Sequence, residues 1–161
     1  MTSPNSSPSS SPDTPGVPFP PPLIFLGAMG IGLLAHWIRP VAVRPPAWWG
    51  FGALLVLFGV VIMEWSAYLF RKHKTAVFPW KPTRLIVTSG PYSQTRNPIY
   101  LGFALIQLGI GVWSNRLAVV LMVIPAIFAT NAWIIAREES YLERKFGEPY
   151  RAYLKQVRRW I

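Results

Sequence analysis

The chain contains no cysteine, which excludes a disulfide, a thiolate metal site and a thiol nucleophile. Acidic residues are scarce, with six Asp and Glu against sixteen Lys and Arg, and there are two histidines. This composition supplies few metal ligands, so we predict no metal site. Charged residues make up 14% of the 161 residues, whereas a soluble domain has about a quarter. The shortage of charge therefore argues against a soluble globule.

Apolar residues, by contrast, make up 52% of the chain, and aromatic residues make up 14%. A net charge of +10 would suit a nucleic-acid ligand, but long uncharged runs and abundant aromatic side chains are typical of a protein in a bilayer. We therefore predict a lipid bilayer as the partner of this chain and no nucleic acid.

The first 22 residues contain eight prolines, six serines and one charged residue, Asp13. Such a segment cannot bury enough apolar surface to offset the cost of ordering its backbone. We predict a disordered Pro/Ser-rich tail over residues 1–22 and a single membrane domain over residues 23–161. The tail lacks a basic start and an uninterrupted apolar run, so we do not expect it to be a secretory signal.

Uncharged or nearly uncharged runs recur four times after the tail. The three residues Ser114–Arg116 separate the last two runs and force an antiparallel helical hairpin. A soluble bundle is disfavoured because no polar face recurs at helical spacing. We predict an all-α integral membrane protein whose four spans cover about residues 23–38, 47–70, 99–113 and 117–136.

The C-terminal segment, residues 137–161, has apolar and aromatic residues at three- and four-residue steps with Arg and Lys between them. This pattern predicts a basic amphipathic helix on the membrane surface, broken near Gly147. Thirteen of the sixteen cations lie in residues 71–98 and 137–161. Because Lys and Arg concentrate in cytoplasmic segments, we expect both termini in the cytoplasm, in a bacterial inner membrane.

Two blocks of sequence carry a family resemblance. Residues 90–102, GPYSQTRNPIYLG, are similar to the GPY-x3-R-H/N-P-x-Y-x-G signature of integral-membrane methyltransferases. Residues 137–153, REESYLERKFGEPYRAY, are similar to the EE-x2-L-x3-FG-x2-Y-x2-Y segment of the same family. The chain thus resembles the isoprenylcysteine carboxyl methyltransferases and their phospholipid methyltransferase relatives over residues 47–161.

The resemblance implies S-adenosylmethionine as the cofactor, bound at the cytoplasmic face, and a lipophilic methyl acceptor that enters from lipid. It also implies a pocket formed by the loop before the third helix and the C-terminal segment. The first Glu of the second block matches the acid that holds the amino acid end of the cofactor. The positions that match cofactor contacts of the family are Arg84, Leu85, Ile86, Val87, Tyr92, Asn97, Pro98, Ile99, Tyr100 and Glu138.

Three residues are predicted to assist catalysis. Arg96 can bind an anionic group of the cofactor or the acceptor. The carboxyl methyltransferases of this family place a substrate-positioning Arg where this chain has Ile134, and Arg137 is the neighbouring candidate. Glu64, the only acid within a predicted span, could accept a proton from an amine or thiol acceptor.

The nearest named activity is carboxyl O-methylation of isoprenylcysteine. Phospholipid N-methylation and thiol S-methylation are alternatives. From other classes, an NADPH-binding membrane reductase and a non-catalytic scaffold also stay open. The absence of a Gly-rich phosphate loop argues against a soluble nucleotide-binding methyltransferase.

Overall fold

The structure, a computed structural model, describes residues 13–43, 48–75 and 82–161. These ranges are helical and contain no β-strand, which confirms the predicted all-α class. The main helices are α1 (Pro22–Ile38), α2 (Trp49–Lys72), α3 (Pro98–Trp113), α4 (Leu117–Phe146) and α5 (Glu148–Gln156).

Two of the described helices, α2 and α4, are long and apolar enough to cross a membrane. The helices α1 and α3 have 17 and 16 residues and are shorter than the roughly 20 residues that a span needs. The arrangement of four spans therefore stays a prediction, and residue 47, where the second span was predicted to begin, lies outside the described residues. Large apolar side chains of α2, such as Leu54, Phe58 and Trp65, are more than half exposed, which indicates membrane association.

The helix ends follow from local sequence. Pro98 occupies the first turn of α3, where its missing N–H leaves no hydrogen bond unmade. Between α3 and α4 only Ser114–Arg116 are non-helical, and Asn115 there adopts a positive φ of 55°. The predicted helical hairpin is therefore confirmed.

The helix α4 runs past the predicted end of the fourth span at residue 136. It is interrupted near Met122, because Pro125 in the next turn cannot donate a backbone hydrogen bond, and it contains a π-helical turn at Asn131–Ile135. It then continues through Ala136–Phe146, a segment rich in helix-forming residues, and ends at Gly147, where φ is 61°. The predicted break at Gly147 is confirmed. The surface helix predicted to reach residue 161 ends instead at Gln156.

Glycines bring α2 and α3 into close contact. A Cβ atom added at Gly52 would lie 2.8 Å from the Gly109 carbonyl oxygen, and one added at Gly59 would lie 2.7 Å from the Gly102 carbonyl oxygen. The two antiparallel helices thus meet through two glycine pairs, seven residues apart on each helix. Small residues at such positions allow the backbones of membrane helices to pack closely.

The helix α1 packs on the hairpin of α3 and α4. Gly32 lies against the backbone of Val119, and the rings of Phe25 and Phe103 stack with centroids 5.6 Å apart. This packing fixes α3 between its neighbours. The end of the bundle where α2 finishes and α3 begins is called the site end below.

Candidate active site

A cavity opens at the site end of the bundle. It lies between the irregular segment 82–89, the start of α3, the C-terminal half of α4 and the helix α5. The lining is mixed, with apolar and aromatic walls and three charged side chains. It consists of Pro15, Phe70, Thr83, Leu85, Ile86, Val87, Tyr92, Arg96, Asn97, Pro98, Ile99, Tyr100, Glu138, Glu139, Tyr141, Leu142, Tyr150 and Tyr153.

Nine of the ten predicted cofactor contacts lie together in this lining, although they come from three separate parts of the chain. Arg84 is the exception: its backbone N–H donates to the Thr75 hydroxyl at 3.0 Å, and it is not among the lining residues. Predicted catalytic Arg96 also lines the cavity. The fold therefore brings the two sequence blocks to one place.

Glu138 and Tyr100 join α4 to α3 across the cavity. The buried Tyr100 hydroxyl donates to Glu138 Oε1 at 2.6 Å. Within the described ranges no ion pair joins the Glu138 carboxylate to a cation. A desolvated carboxylate without a cation is costly, so this position favours a cationic ligand.

Arg96 lines the same cavity as Glu138 and is held by Glu139, the second acid of the pair. Its Nη1 lies 2.9 Å from Glu139 Oε1, and Arg159 binds the same carboxylate through Nε and Nη2. The Arg96 Nε is buried and has no hydrogen-bond partner within the part of the chain that the structure describes. Buried donors are nearly always bonded, so this one indicates room for an anionic group.

The C-terminal residues hold the loop that carries Arg96. The Arg96 backbone N–H donates to the Arg158 carbonyl at 3.0 Å. The Asn97 Nδ2 and the Thr95 hydroxyl both donate to the Arg159 carbonyl, at 2.9 and 3.1 Å. Asn97 therefore contacts the cavity while its amide is used to fix the loop.

The turn Gly90–Ser93 contributes Tyr92 to the cavity wall. Tyr153 donates its hydroxyl to the Tyr92 carbonyl at 2.7 Å, and the Phe70 ring packs edge-on against Tyr92 at 5.2 Å. Burial raises the pKa of Tyr92 well above its usual range and the pKa of Tyr153 to about 12. Both phenols therefore stay neutral near pH 7, and the ionisable side chains of the lining other than its tyrosines are Arg96, Glu138 and Glu139.

Residues just before α1 pass over the mouth of the cavity. Pro15 lines it, and Asp13 Oδ1 pairs with Lys145 and accepts a hydrogen bond from the Tyr141 hydroxyl at 3.0 Å. Further along, Phe19 packs edge-on against Trp133 of α4. Of the predicted tail, residues 1–12 lie outside the described residues, and the described part contacts α4.

Glu64 and Arg137 are not in the lining of the cavity. Glu64 lies on α2 with its side chain 71% exposed, and its carboxylate is 3.6 Å from Arg71. Arg137 is exposed and donates from Nη1 to the Gly16 carbonyl at 3.2 Å. Ile134, where the related enzymes have an arginine, is fully buried in the π-helical turn. The catalytic roles of Glu64 and Arg137 stay predictions that the geometry does not support.

Several lining residues were not predicted. Glu139 is adjacent to Glu138 in the acidic pair, and Tyr150 and Tyr153 form the repeated tyrosines of the second block. The sequence signal for these residues was present in that block. Phe70 and Tyr141 carried no such signal, because only the packing of α2 and α4 places them at the cavity. Within residues 13–43, 48–75 and 82–161, no group of three His, Asp or Glu side chains could hold a metal ion.

The comparison with known families agrees with this geometry. A family model described as phospholipid methyltransferase matches residues 48–149, which include both sequence blocks up to Pro149 and almost the whole cavity. The chain belongs to the phospholipid methyltransferase family. The predicted membership of this group of methyltransferases is therefore confirmed.

Three relatives of this family member extend the comparison. An uncharacterized protein of Haemophilus influenzae is 46% identical over 63 residues, which cover 39% of the chain and all of that protein. The protein-S-isoprenylcysteine O-methyltransferase of Schizosaccharomyces pombe is 33% identical over 73 residues, which cover 45% of the chain. The enzyme of the same name from Dictyostelium discoideum is 28% identical over 149 residues, which cover 81% of the chain. The matched regions span 31% and 57% of these two enzymes. No solved structure matches the chain significantly.

Proposed function

We propose that this protein is a membrane methyltransferase that uses S-adenosylmethionine and transfers its methyl group to the carboxylate of a lipophilic, isoprenylcysteine-like acceptor. The observation that carries the proposal is the pairing, in one cavity, of a carboxylate without a cation and an arginine with an unused donor. Glu138 and the Arg96 Nε match the ammonium and the carboxylate of an amino acid. The apolar wall of Leu85, Ile86 and Val87 is suited to the remainder of such a cofactor.

The residues present fit the proposed cofactor. Glu138 would bind its ammonium, with Tyr100 fixing the orientation of the carboxylate by a hydrogen bond of 2.6 Å. Arg96 would bind its carboxylate through the buried Nε. When bound, the cofactor supplies an electrophilic methyl group on a sulfonium.

The work left to the protein is alignment and the exclusion of water. The buried rings of Tyr92, Tyr100 and Tyr150 restrict access of water to the cavity. A carboxylate acceptor needs no general base, and its negative charge cancels against the sulfonium as the methyl group moves, which a medium of low dielectric favours. The lining agrees with a reaction that needs no general base, because Glu139 is already paired with arginines and Glu138 is the proposed partner of the cofactor ammonium.

Phospholipid N-methylation is the second candidate, and the description of the matching family favours it. An amine acceptor must lose a proton, and in the described lining Glu138 and Glu139 are the carboxylates that could receive it. Glu139 is bound by two arginines, and Glu138 is assigned to the ammonium of the cofactor, so neither carboxylate is left over as a base. This difference makes carboxylate methylation the better-supported reaction.

The cavity is proposed to face the cytoplasm. Thirteen of the sixteen cations lie within residues 71–98 and 137–161 of the sequence, and the rule that cations concentrate on the cytoplasmic side then favours both termini there. A lipophilic acceptor would reach the site from the bilayer around α2 and α4.

Calorimetric titration of the detergent-purified protein tests the cofactor. We expect S-adenosylhomocysteine to bind and NADPH not to bind, and we expect Glu138→Gln to weaken binding at least tenfold. Glu143→Gln is the matched control, since Glu143 lies on the same helix, outside the cavity, and pairs with Arg151. Binding of NADPH alone would replace the methyltransferase with the reductase, and binding of neither would favour the scaffold.

A panel of acceptors tests the reaction. We expect transfer of a labelled methyl group from S-adenosylmethionine to farnesylcysteine, in a product that is cleaved by base as an ester. Base-stable product on phosphatidylethanolamine would assign N-methylation instead. A thiol compound is the third acceptor of the panel and tests S-methylation.

A further inference from the structure

Glu139 is shared unequally between two arginines. Arg159 donates to both carboxylate oxygens, from Nε to Oε1 at 3.1 Å and from Nη2 to Oε2. Arg96 reaches one of them, from Nη1 to Oε1 at 2.9 Å. The Arg96 and Glu139 side chains are 15% and 16% exposed, whereas that of Arg159 is 40% exposed, so the carboxylate is largely shielded from water and Arg159 is partly open to it.

The unequal sharing determines which donors of Arg96 stay unused. A guanidinium and a carboxylate prefer to bind by two parallel hydrogen bonds. Because Arg159 already occupies Glu139 in this way, Arg96 makes one contact and its Nε is left buried without a partner among the described residues. Without Arg159, Arg96 could rotate onto Glu139 and use the Nε there.

We propose that Arg159 is a positioning residue: it occupies Glu139 so that Arg96 keeps a donor for the carboxylate of a ligand in the cavity. The identity of that ligand as the amino acid end of the cofactor rests on the proposed function. The unequal sharing of Glu139 is a property of the protein alone.

The backbone around Arg159 is anchored independently of its side chain. Its carbonyl accepts hydrogen bonds from Asn97 and Thr95, and the next residue, Trp160, donates from Nε1 to Asn131 Oδ1 at 3.1 Å. Substitution of the Arg159 side chain therefore leaves these anchors in place. The variant Arg159→Ala tests the guanidinium rather than the folding of the C-terminus.

Two ligands separate positioning from a general loss of structure. S-adenosylhomocysteine has an amino acid end, and 5′-methylthioadenosine lacks it. We expect Arg159→Ala to weaken binding of the first at least tenfold and of the second by less than twofold, with Arg159→Lys in between because lysine cannot form the two-point contact. Lys155→Ala, an exposed cation on α5, is the control and is expected to change neither. Equal weakening of both ligands, or of neither, would overturn the proposal.

Thermal unfolding in the absence of ligand gives a second readout. We expect Arg96→Ala and Arg159→Ala each to lower the midpoint only slightly, because the remaining arginine still pairs with Glu139. The double variant leaves a shielded carboxylate unpaired and is expected to exceed the sum of the single effects by roughly 5 °C or more. An additive result would refute the shared-carboxylate arrangement. If the wild-type protein binds neither ligand, the proposed cofactor is wrong, and this cycle still tests whether Arg96 and Arg159 share Glu139.

Discussion

The glycine contacts between α2 and α3 allow a test of how the helix packing supports the site. A Cβ atom at Gly102 would lie 2.3 Å from the Met63 Cγ and 2.8 Å from the Gly59 carbonyl oxygen. At Gly109 it would lie 2.6 Å from the Gly52 carbonyl oxygen. Ordinary contacts begin at 3.4 Å, so Gly109→Ala requires a displacement of about 0.8 Å against backbone atoms that cannot rotate away.

The expected change in the free energy of unfolding combines two opposing effects. Overpacking of this kind costs about 1–3 kcal/mol, whereas Gly→Ala within a helix gains about 0.5–1 kcal/mol. We expect a net loss of about 1–2 kcal/mol for Gly109→Ala, which corresponds to a midpoint lowered by roughly 2–8 °C for a chain of this length. Gly27→Ala on α1 is the control: nothing lies within 4 Å of its added Cβ, so it is expected to raise the midpoint slightly.

Substitutions in the two glycine pairs are expected to differ in their effect on ligand binding. Gly102 is two residues from Tyr100, so Gly102→Ala is expected to weaken binding of S-adenosylhomocysteine as well as lower the midpoint. Gly109 is seven residues, or about 10 Å, further along α3 from Gly102, and its variant is expected to retain affinity in the folded protein. Thermal unfolding in detergent and calorimetric titration measure the two effects. A Gly109→Ala protein as stable as Gly27→Ala would refute the close packing of α2 on α3.

Three further predictions concern orientation, the acid on α2 and the segment over the cavity. Since the chain has no cysteine, single Ser93→Cys and Ser114→Cys variants report topology without background labelling. An impermeant maleimide added to intact cells is expected to label the Ser114→Cys variant alone. Labelling of the Ser93→Cys variant would reverse the orientation. Glu64→Gln is expected to keep turnover within threefold, because its side chain is exposed and outside the cavity, and a loss above tenfold would restore it as a proton acceptor. The hydrogen bond from Lys145 lowers the pKa of Asp13 below its ordinary value of 3.8. The ion pair is therefore present at neutral pH and is lost only as the pH falls through the lowered pKa. Asp13→Asn is accordingly expected to accelerate association of S-adenosylhomocysteine at pH 7. An unchanged rate in the variant would show that the segment does not restrict entry.

The fold was predictable where local rules dominate. Uncharged runs, Pro98 and the three-residue connection Ser114–Arg116 locate the helices and the hairpin, because each acts within a few residues. The continuity of α4 was missed: residues 137–146 were predicted as part of a separate surface helix, but they extend the predicted fourth span as one helix, because charge marks the edge of a bilayer rather than the end of a helix. The π-helical turn at Asn131–Ile135 had no signal in the pattern of residues.

The site was predictable in its members but not in its connections. The family blocks contain most of the lining, and Arg96, Asn97 and Glu138 were identified from them. No local rule could bring Arg96 and Arg159 to the same carboxylate, because Glu139 lies 43 residues from Arg96 and 20 residues from Arg159 along the chain. Likewise, because a helix was predicted up to residue 161, a non-helical C-terminus whose carbonyl group at Arg159 holds the loop at Asn97 was not anticipated.

The scarcity of acidic residues sharpens the argument for a cationic ligand. All six acids lie in the described part of the chain, and five of them pair with a cation: Asp13 with Lys145, Glu64 with Arg71, Glu139 with Arg96 and Arg159, and Glu143 and Glu148 with Arg151. With sixteen cations available to six acids, a carboxylate without a described cationic partner is not explained by a lack of cations. Glu138 is that carboxylate, and its hydrogen bond comes from the neutral hydroxyl of Tyr100. A fold that pairs every other acid and aims this one into a cavity leaves its charge to be matched by what binds there, which is why Glu138→Gln is the most informative single substitution in the chain.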